Sequence, residues 1–257
     1  MPVQYERRGS TAILTIDRPE ARNAVDRATA EALRAHYHEF VEDDGAQVLV
    51  LTGAGGQAFC AGADLKAMNN PVRAPEGPMG FTRLVSPKPT IAAIEGWCVA
   101  GGLEVACWCD IRIAGEGARF GVLNRRWGVP LIDGGTQRLP RIVGLGRALD
   151  MVLTARIVEH DEALTMGLVS RVVARGAALE AAVEIAEQMA TYPRECLLAD
   201  RHSTYDAMGV PLTEGLLREA EFGMSVIELA ARGAARFASG EGRHGAGAGQ
   251  SDGGTRT

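Results

Sequence analysis

No Cys-x-x-Cys pair occurs in the sequence, and its cysteines, Cys60, Cys98, Cys107, Cys109 and Cys196, are odd in number. Such spacing predicts neither a zinc site nor a disulfide framework, and it suits a reducing compartment. No Gly-x-Ser-x-Gly elbow is present, which removes the usual serine-hydrolase arrangement. Nowhere do about 18 apolar residues run uninterrupted, and the opening MPVQYERRGS lacks the apolar core of a secretory signal. A cytoplasmic chain with no membrane contact is the expectation. An excess of positive charge is missing too. The formal net charge is −5, which argues against nucleic acid or a polybasic membrane patch and suggests that any bound anion is small. There is no internal repeat.

What is present is ordinary globular material, 46% apolar and 23% charged over 257 residues. That length predicts one large core with a smaller appendage. Ala12 to Ile16 reads as a short apolar strand, broken by Arg18-Pro19-Glu20 before a helix from Asp26 to Val41. Val48 to Leu51 is a buried strand running into Thr52-Gly53-Ala54-Gly55-Gly56, and residues 67 to 88, rich in Pro, Gly and Asn, form a connection. Thr90 to Glu95 predicts another strand, Gly101 to Cys109 a helix, and Asp110 to Ala114 a further strand. This alternation predicts an α/β architecture with both sheet faces covered. Beyond Leu179 the pattern turns helical: Leu179 to Ala190, Arg194 to Met208 and Leu212 to Phe237, punctuated by Pro193 and Gly209-Val210-Pro211. We therefore expect an α/β core over 1–192, a helical region over 193–238 and a flexible Gly-rich tail over 239–257.

Three segments carry chemistry. In the first, Phe59-Cys60-Ala61-Gly62-Ala63-Asp64-Leu65-Lys66, Gly62 would let backbone approach a ligand, although Asp64 reads equally as a helix cap in a plain turn. The second, Gly96 to Ala106, follows a strand, so Gly101 should open a helix with unpaired N–H groups able to hold an oxyanion. Glu104 lies three residues on and hence on the same face. It reads either as a solvated first-turn glutamate or, given Val105, Ala106 and Cys107, as a buried one. The third runs from Phe120 to Leu139 and places Asp133 before Gly134-Gly135, where it reads as a catalytic carboxylate or as a helix cap.

In this order and spacing the segments resemble the crotonase (enoyl-CoA hydratase/isomerase) superfamily over most of the chain. Arg18-Pro19 with Asn23-Ala24, FCAGADL, KPTIAAIEGWCVAGGLEVACWCDIRIA, FGVLNRRWGVPLIDGGTQRL and MGLVSRVV carry the likeness. The resemblance implies a crotonase-like spiral of β-β-α units with a C-terminal helical region that packs copies into trimers or dimers of trimers. It implies an enoyl-CoA hydratase-like enzyme acting on an acyl-CoA thioester, with the N–H groups of Ala63 and Gly101 as the oxyanion hole. Coenzyme A would enter as part of the substrate, with no separate cofactor and no metal. Its length would run past Ala24, Ala61 and the turn of Asp64 and Lys66, with Arg22 and Lys66 partnering its phosphates.

The sequence departs from the family pattern at one position. Hydratases of this superfamily hold a water between two glutamates; Glu104 matches the first, but the second position is Asn124, an amide that orients water without exchanging its proton. Asp133 is the candidate replacement. Enoyl-CoA isomerase, acyl-CoA hydrolase and a non-catalytic acyl-CoA-binding homologue are the alternatives inside the family. Outside it stands a dinucleotide site at Gly53-Ala54-Gly55-Gly56-Gln57-Ala58, which would require a helix opening within that turn.

Overall fold

A computed structural model provides the structure, which describes residues 1–241. In chain order the elements are β1 (Val3–Arg8), β2 (Thr11–Ile16), α1 (Arg27–Glu42), β3 (Val48–Gly53), β4 (Ala58–Cys60), β5 (Thr90–Ile94), β6 (Trp97–Val99), α2 (Gly101–Trp108), β7 (Ile111–Gly115), β8 (Arg119–Gly121), α3 (Gly135–Val143), α4 (Leu145–Thr154), β9 (Val158–Glu159), α5 (His160–Thr165), β10 (Arg171–Val173), α6 (Ala178–Ala190), α7 (Arg194–Asp206), α8 (Leu212–Ser225) and α9 (Ile227–Ala238). Short 3-10 turns cover Pro19–Ala21 and Leu123–Trp127.

Two sheets share the strands, one ordered β1-β2-β3-β5-β7-β10 and one β4-β6-β8-β9. The chain visits them alternately: β3 then β4, β5 then β6, β7 then β8. Each circuit thus lays one strand on each sheet, with α2 filling the second circuit, which is the expected spiral. The interior pairs are parallel, with Leu49 opposite Thr90 and Ile91 opposite Ile111. Val48 to Leu51 and Thr90 to Ile94 are buried at every residue, as interior strands covered on both faces must be. Phe40, Phe59, Phe81 and Phe120 fill the core.

Two long cations finish helices from a distance. Lys88 Nζ donates to the carbonyls of Phe40 and Asp43 at 2.8 Å, closing α1, and Arg112 donates from β7 to Cys109 O at 2.6 Å, closing α2. Asp26 caps α1 by accepting from Thr29 N at 2.8 Å. Asn23, fully buried at φ 57°, accepts from Arg18 N and donates to the carbonyls of Ala54 and Ala58. It staples the β2 exit to the β3–β4 turn, a physical reason for an Asn there.

Beyond the short strands of the second sheet, β10 and the helices α4 and α5, which the sequence reading left unassigned, three further points differ from it. The N-terminal residues form β1, an edge strand whose Glu6, Arg7 and Arg8 hide the apolar alternation. The helix expected over Leu212 to Phe237 is two helices, broken at Val226 (φ −118°, ψ 13°), where a β-branched residue follows closely on Gly223. The Gly53–Ala58 turn leads into β4 and not into a helix, so it is no dinucleotide fingerprint.

The chain divides into two compact units, Met1–Glu187 and the residues from Gln188 onward. The first holds both sheets; the second is built on α7 packed against α8. Of the tail expected over 239–257, all but the first three residues lie outside the described residues. No helix among the described residues is long and apolar enough to cross a membrane, and no cluster of three metal-ligating side chains occurs among them.

Candidate active site

The short sheet ends its strands at one place. After β4, Val25 N–H donates to Gly62 O at 2.8 Å and Asp64 N–H to Val25 O at 2.9 Å. A strand-like bridge turns alternate residues to alternate sides, so Ala63 N–H, lying between these bonds, faces away from Val25. It finds no acceptor among the described residues. Gly101 opens α2, and as a first-turn amide its N–H has no partner there either. The residue before it, Ala100, sits at φ 54°, ψ −128°, a conformation L-residues avoid; the strain is concentrated where it aims the Gly101 amide.

Glycines press these two donors together. A Cβ on Gly62 (φ 93°) would stand 2.7 Å from Gly101 N, and one on Gly102 would stand 2.0 Å from Cys60 O. Gly62 therefore serves a backbone-to-backbone approach, where the sequence suggested an approach to ligand.

Glu104, 3% exposed, sits one turn into α2. Its Oε1 accepts from Asp133 N–H at 2.9 Å and from Gly135 N–H at 2.8 Å. Burial pushes its pKa up to about 7, with the neighbouring Asp133 charge adding to the rise against the pull of those amides. A carboxyl poised near neutrality can both take and return a proton. The buried reading of Glu104 holds.

Asp133 does not cap the following helix. The N-cap of α3 is Gly134, with no side-chain bond, and Asp133 Oδ1 instead accepts from Met79 N–H at 3.1 Å and from the Thr82 hydroxyl. Desolvation raises its pKa against those two bonds and the charges of Arg83 and Arg138. Arg138 ties the same two segments by donating to Asp133 O and Thr82 O, while Phe81 packs on Trp108 at 4.6 Å. Asp133 is thus a latch between the peptide that supports Glu104 and the connection crossing over it. Asn124, 93% buried by its 7% exposure, donates its Nδ2 to Val129 O at 2.8 Å, which fixes the amide's orientation. Its Oδ1 is a buried acceptor without a partner among the described residues.

One cavity of about 280 Å³ gathers Ala61, Ala63, Gly101, Glu104, Asn124 and Asp133. Other expected residues lie elsewhere. Asp64 accepts from Arg18 Nη2 at 3.1 Å and from Lys66 N at 3.0 Å, so its carboxylate braces its own turn. Ala24 is buried with its carbonyl on Arg18, Lys66 is exposed, and Arg22 lines a separate polar hollow with Trp97, Arg119 and Arg175. Sequence reasoning missed the apolar walls, Met68, Val72, Met79, Leu123 and Trp127 among them. A tryptophan set in the Gly/Pro-rich stretch after Arg125-Arg126 was the available signal. Thr82, by contrast, left none.

A model of the family described as enoyl-CoA hydratase/isomerase matches residues 6–238. Over 226 residues the chain is 37% identical to a short-chain-enoyl-CoA hydratase of Clostridium acetobutylicum, covering 85% of this chain and 87% of that one. It is 35% identical to the (E)-benzylidenesuccinyl-CoA hydratase of Thauera aromatica, covering 84% and 87%. Among solved structures, enoyl-CoA hydratase EchA1 of Mycobacterium marinum superposes with a TM-score of 0.87 at 33% identity, covering 93% of this chain and 96% of that one. The enoyl-CoA hydratase of Bacillus anthracis gives 0.86 at 32%, with the same coverage.

Proposed function

The chain belongs to the enoyl-CoA hydratase/isomerase family, and from that premise we propose that it adds water across the C2=C3 bond of a 2-enoyl-CoA thioester, with Glu104 as its proton carrier. The observation that carries this reading is one buried carboxyl with a pKa of about 7 sharing a cavity with the two unpartnered amides of Ala63 and Gly101. The thioester oxygen sits between those amides. Glu104 takes a proton from water as the water oxygen bonds to C3; the π pair shifts toward the carbonyl, and the charge gathers on the thioester oxygen. Two preorganised donors in a dry site stabilise that oxyanion by several kcal/mol. Glu104 then returns the proton to C2, and the enolate collapses to a 3-hydroxyacyl-CoA.

Asn124 contributes an unfilled acceptor at the cavity wall, which a water hydrogen satisfies, relieving a buried orphan that costs roughly 1–3 kcal/mol. Asp133 positions: its peptide N–H holds Glu104 while its carboxyl holds the crossing segment. The pantetheine arm passes Ala24 and Ala61. Lys66, exposed two residues beyond Asp64, meets the phosphates, and Arg22 lines the separate hollow.

The neutral Asn124 favours one second reading, double-bond isomerisation, in which Glu104 alone carries a proton from C4 to C2. Incubation with 2-enoyl- and 3-enoyl-CoA esters, with products weighed by mass spectrometry, decides between them. Hydration adds about 18 mass units; isomerisation adds none; a free acid would mean hydrolysis and sink both.

We also propose self-association through the helical unit, into trimers or pairs of trimers, inside a reducing cytoplasm. Leu212, Leu216, Leu217, Met224, Ile227 and Phe237 of α8 and α9 are exposed apolar side chains in this single copy. Light scattering at micromolar concentration that returns a monomer would overturn this.

A further inference from the structure

The cavity is chemically lopsided. Its buried lining holds Glu104, Asn124 and Asp133 beside the free amides, whereas its exposed lining is apolar, with Leu65, Met68 and Val72 from one segment and Trp127 and Ile132 from another. Trp127 is 74% and Met68 66% exposed, and Leu65, Val72 and Ile132 are exposed as well. Large apolar side chains held in water around one opening mark a surface that a ligand covers. Among the described residues that line this cavity there is no Lys, Arg or His, and its only charge-bearing groups are two carboxyls. Three nearby cations are engaged elsewhere, Arg126 with Ala155 O, Arg83 with the carbonyls of Ala74 and Ile132, and Arg138 with those of Asp133 and Thr82, while Lys66, Arg73 and Arg125 are exposed next to lining residues without being part of the lining. Inside the cavity a substrate carboxylate would meet burial and like charge with no lining cation to pair it.

Resting on the hydratase reading for what the buried lining does, we propose that this enzyme selects uncharged acyl groups of medium length or with an aryl end, held by Met68 and Trp127, and rejects short acyl groups and acyl groups ending in a carboxylate. The capacity fits. About 280 Å³, shared with the thioester and the near end of the pantetheine arm at Ala61, approaches the roughly 300 Å³ at which sites for drug-sized ligands begin. Each methylene buried against these walls strengthens binding by about fourfold.

The test uses binding of saturated esters, so that selectivity is read without turnover. Calorimetry with butanoyl-, hexanoyl-, octanoyl-, 3-phenylpropanoyl- and glutaryl-CoA should show octanoyl and phenylpropanoyl bound at least about tenfold tighter than butanoyl, and glutaryl at least about tenfold weaker than hexanoyl. Trp127→Ala and Met68→Ala, both at exposed positions that the fold does not need, should each compress the octanoyl-to-butanoyl ratio to below about threefold. Butanoyl and octanoyl affinities within about twofold, or glutaryl matching hexanoyl, overturn the proposal. So does a Trp127→Ala variant that dissociates an oligomer while keeping the ratio, which would make the rim an interface between copies. Failure of the hydratase reading looks different: the esters bind with the stated selectivity, but matching enoyl-CoA gains no water.

Discussion

The two walls of the cavity are built in opposite ways. The inner wall, from β4 through β6 into α2, is fixed by backbone: Val25 bonds on either side of Ala63, Gly62 lies against Gly101, Ala100 is held in a strained conformation, and two amides grip Glu104. The outer wall, on the 65–72 segment and the 3-10 turn at Leu123–Trp127, is irregular and exposes large apolar side chains. Proton transfer and charge stabilisation demand donors placed to fractions of an ångström, which rigid element ends supply. Grip on an acyl chain tolerates looseness and tunes which chain is held. Changes on the inner wall should therefore act on turnover, and changes on the outer wall on affinity.

The largest expected effect is on the inner wall. Glu104→Gln should keep acyl-CoA binding and lose about 100-fold or more in kcat, since the amide preserves shape and cannot carry a proton. Equal turnover in the two proteins would remove Glu104 from the mechanism. Gly62→Ala comes next: its Cβ must displace Gly101 N, so one donor leaves the oxyanion and kcat should fall roughly 10- to 100-fold, with KM changing less. A loss confined to KM would move that wall's role from chemistry to binding.

The same burial that tunes Glu104 carries a thermodynamic signature. Its folded pKa of about 7 lies above the ordinary 4.5, so folding favours the protonated carboxyl. Below pH 4.5 the group costs nothing; as pH rises through 7 it ionises in a dry site and stability is lost, by up to about 3 kcal/mol. Glu104→Gln should therefore be more stable than the parent by up to that amount at pH 8 and no more stable at pH 4, by urea denaturation. Activity runs the other way, with kcat/KM rising with pH through an apparent pKa near 7 as the base form appears.

Asp133→Asn should have the smallest effect, sharpening the line between chemistry and support. The Asp133 peptide N–H that holds Glu104 survives the change, and an amide oxygen still accepts from Met79 N–H and Thr82. Less than about tenfold loss in kcat is expected, because no proton step is removed. A loss matching that of Glu104→Gln would make Asp133 a second proton carrier.

How much of this was legible in the sequence follows the same division. Buried parallel strands write themselves as apolar runs, so Val48 to Leu51 and Thr90 to Ile94 could be read directly, and Gly101 to Glu104 announced a helix start with a carboxyl on one face. The edge strand β1 was hidden by its charges, and the break at Val226 by the apolar pattern on both sides of it. In the site, the donors and Glu104 were legible because short motifs on element ends encode them. The Asp133 latch was not, since Thr82 lies 51 residues away and no periodicity links the two. Nor was the apolar lining: Met68 and Trp127 come from irregular segments that only the fold brings to one cavity, and Arg22 lines a different hollow.

The central claim is that one carboxyl, backed by two amides, moves water's proton and leaves water's oxygen on the substrate. Single-turnover reaction of 2-octenoyl-CoA in H2-18-O water, read by mass spectrometry for the parent and for Glu104→Gln, tests it most directly. The account predicts a product heavier by about 20 mass units, one labelled oxygen with its two hydrogens, formed by the parent and at least about 100-fold more slowly by the variant. A product of unchanged mass, or equal labelling by both proteins, would contradict it.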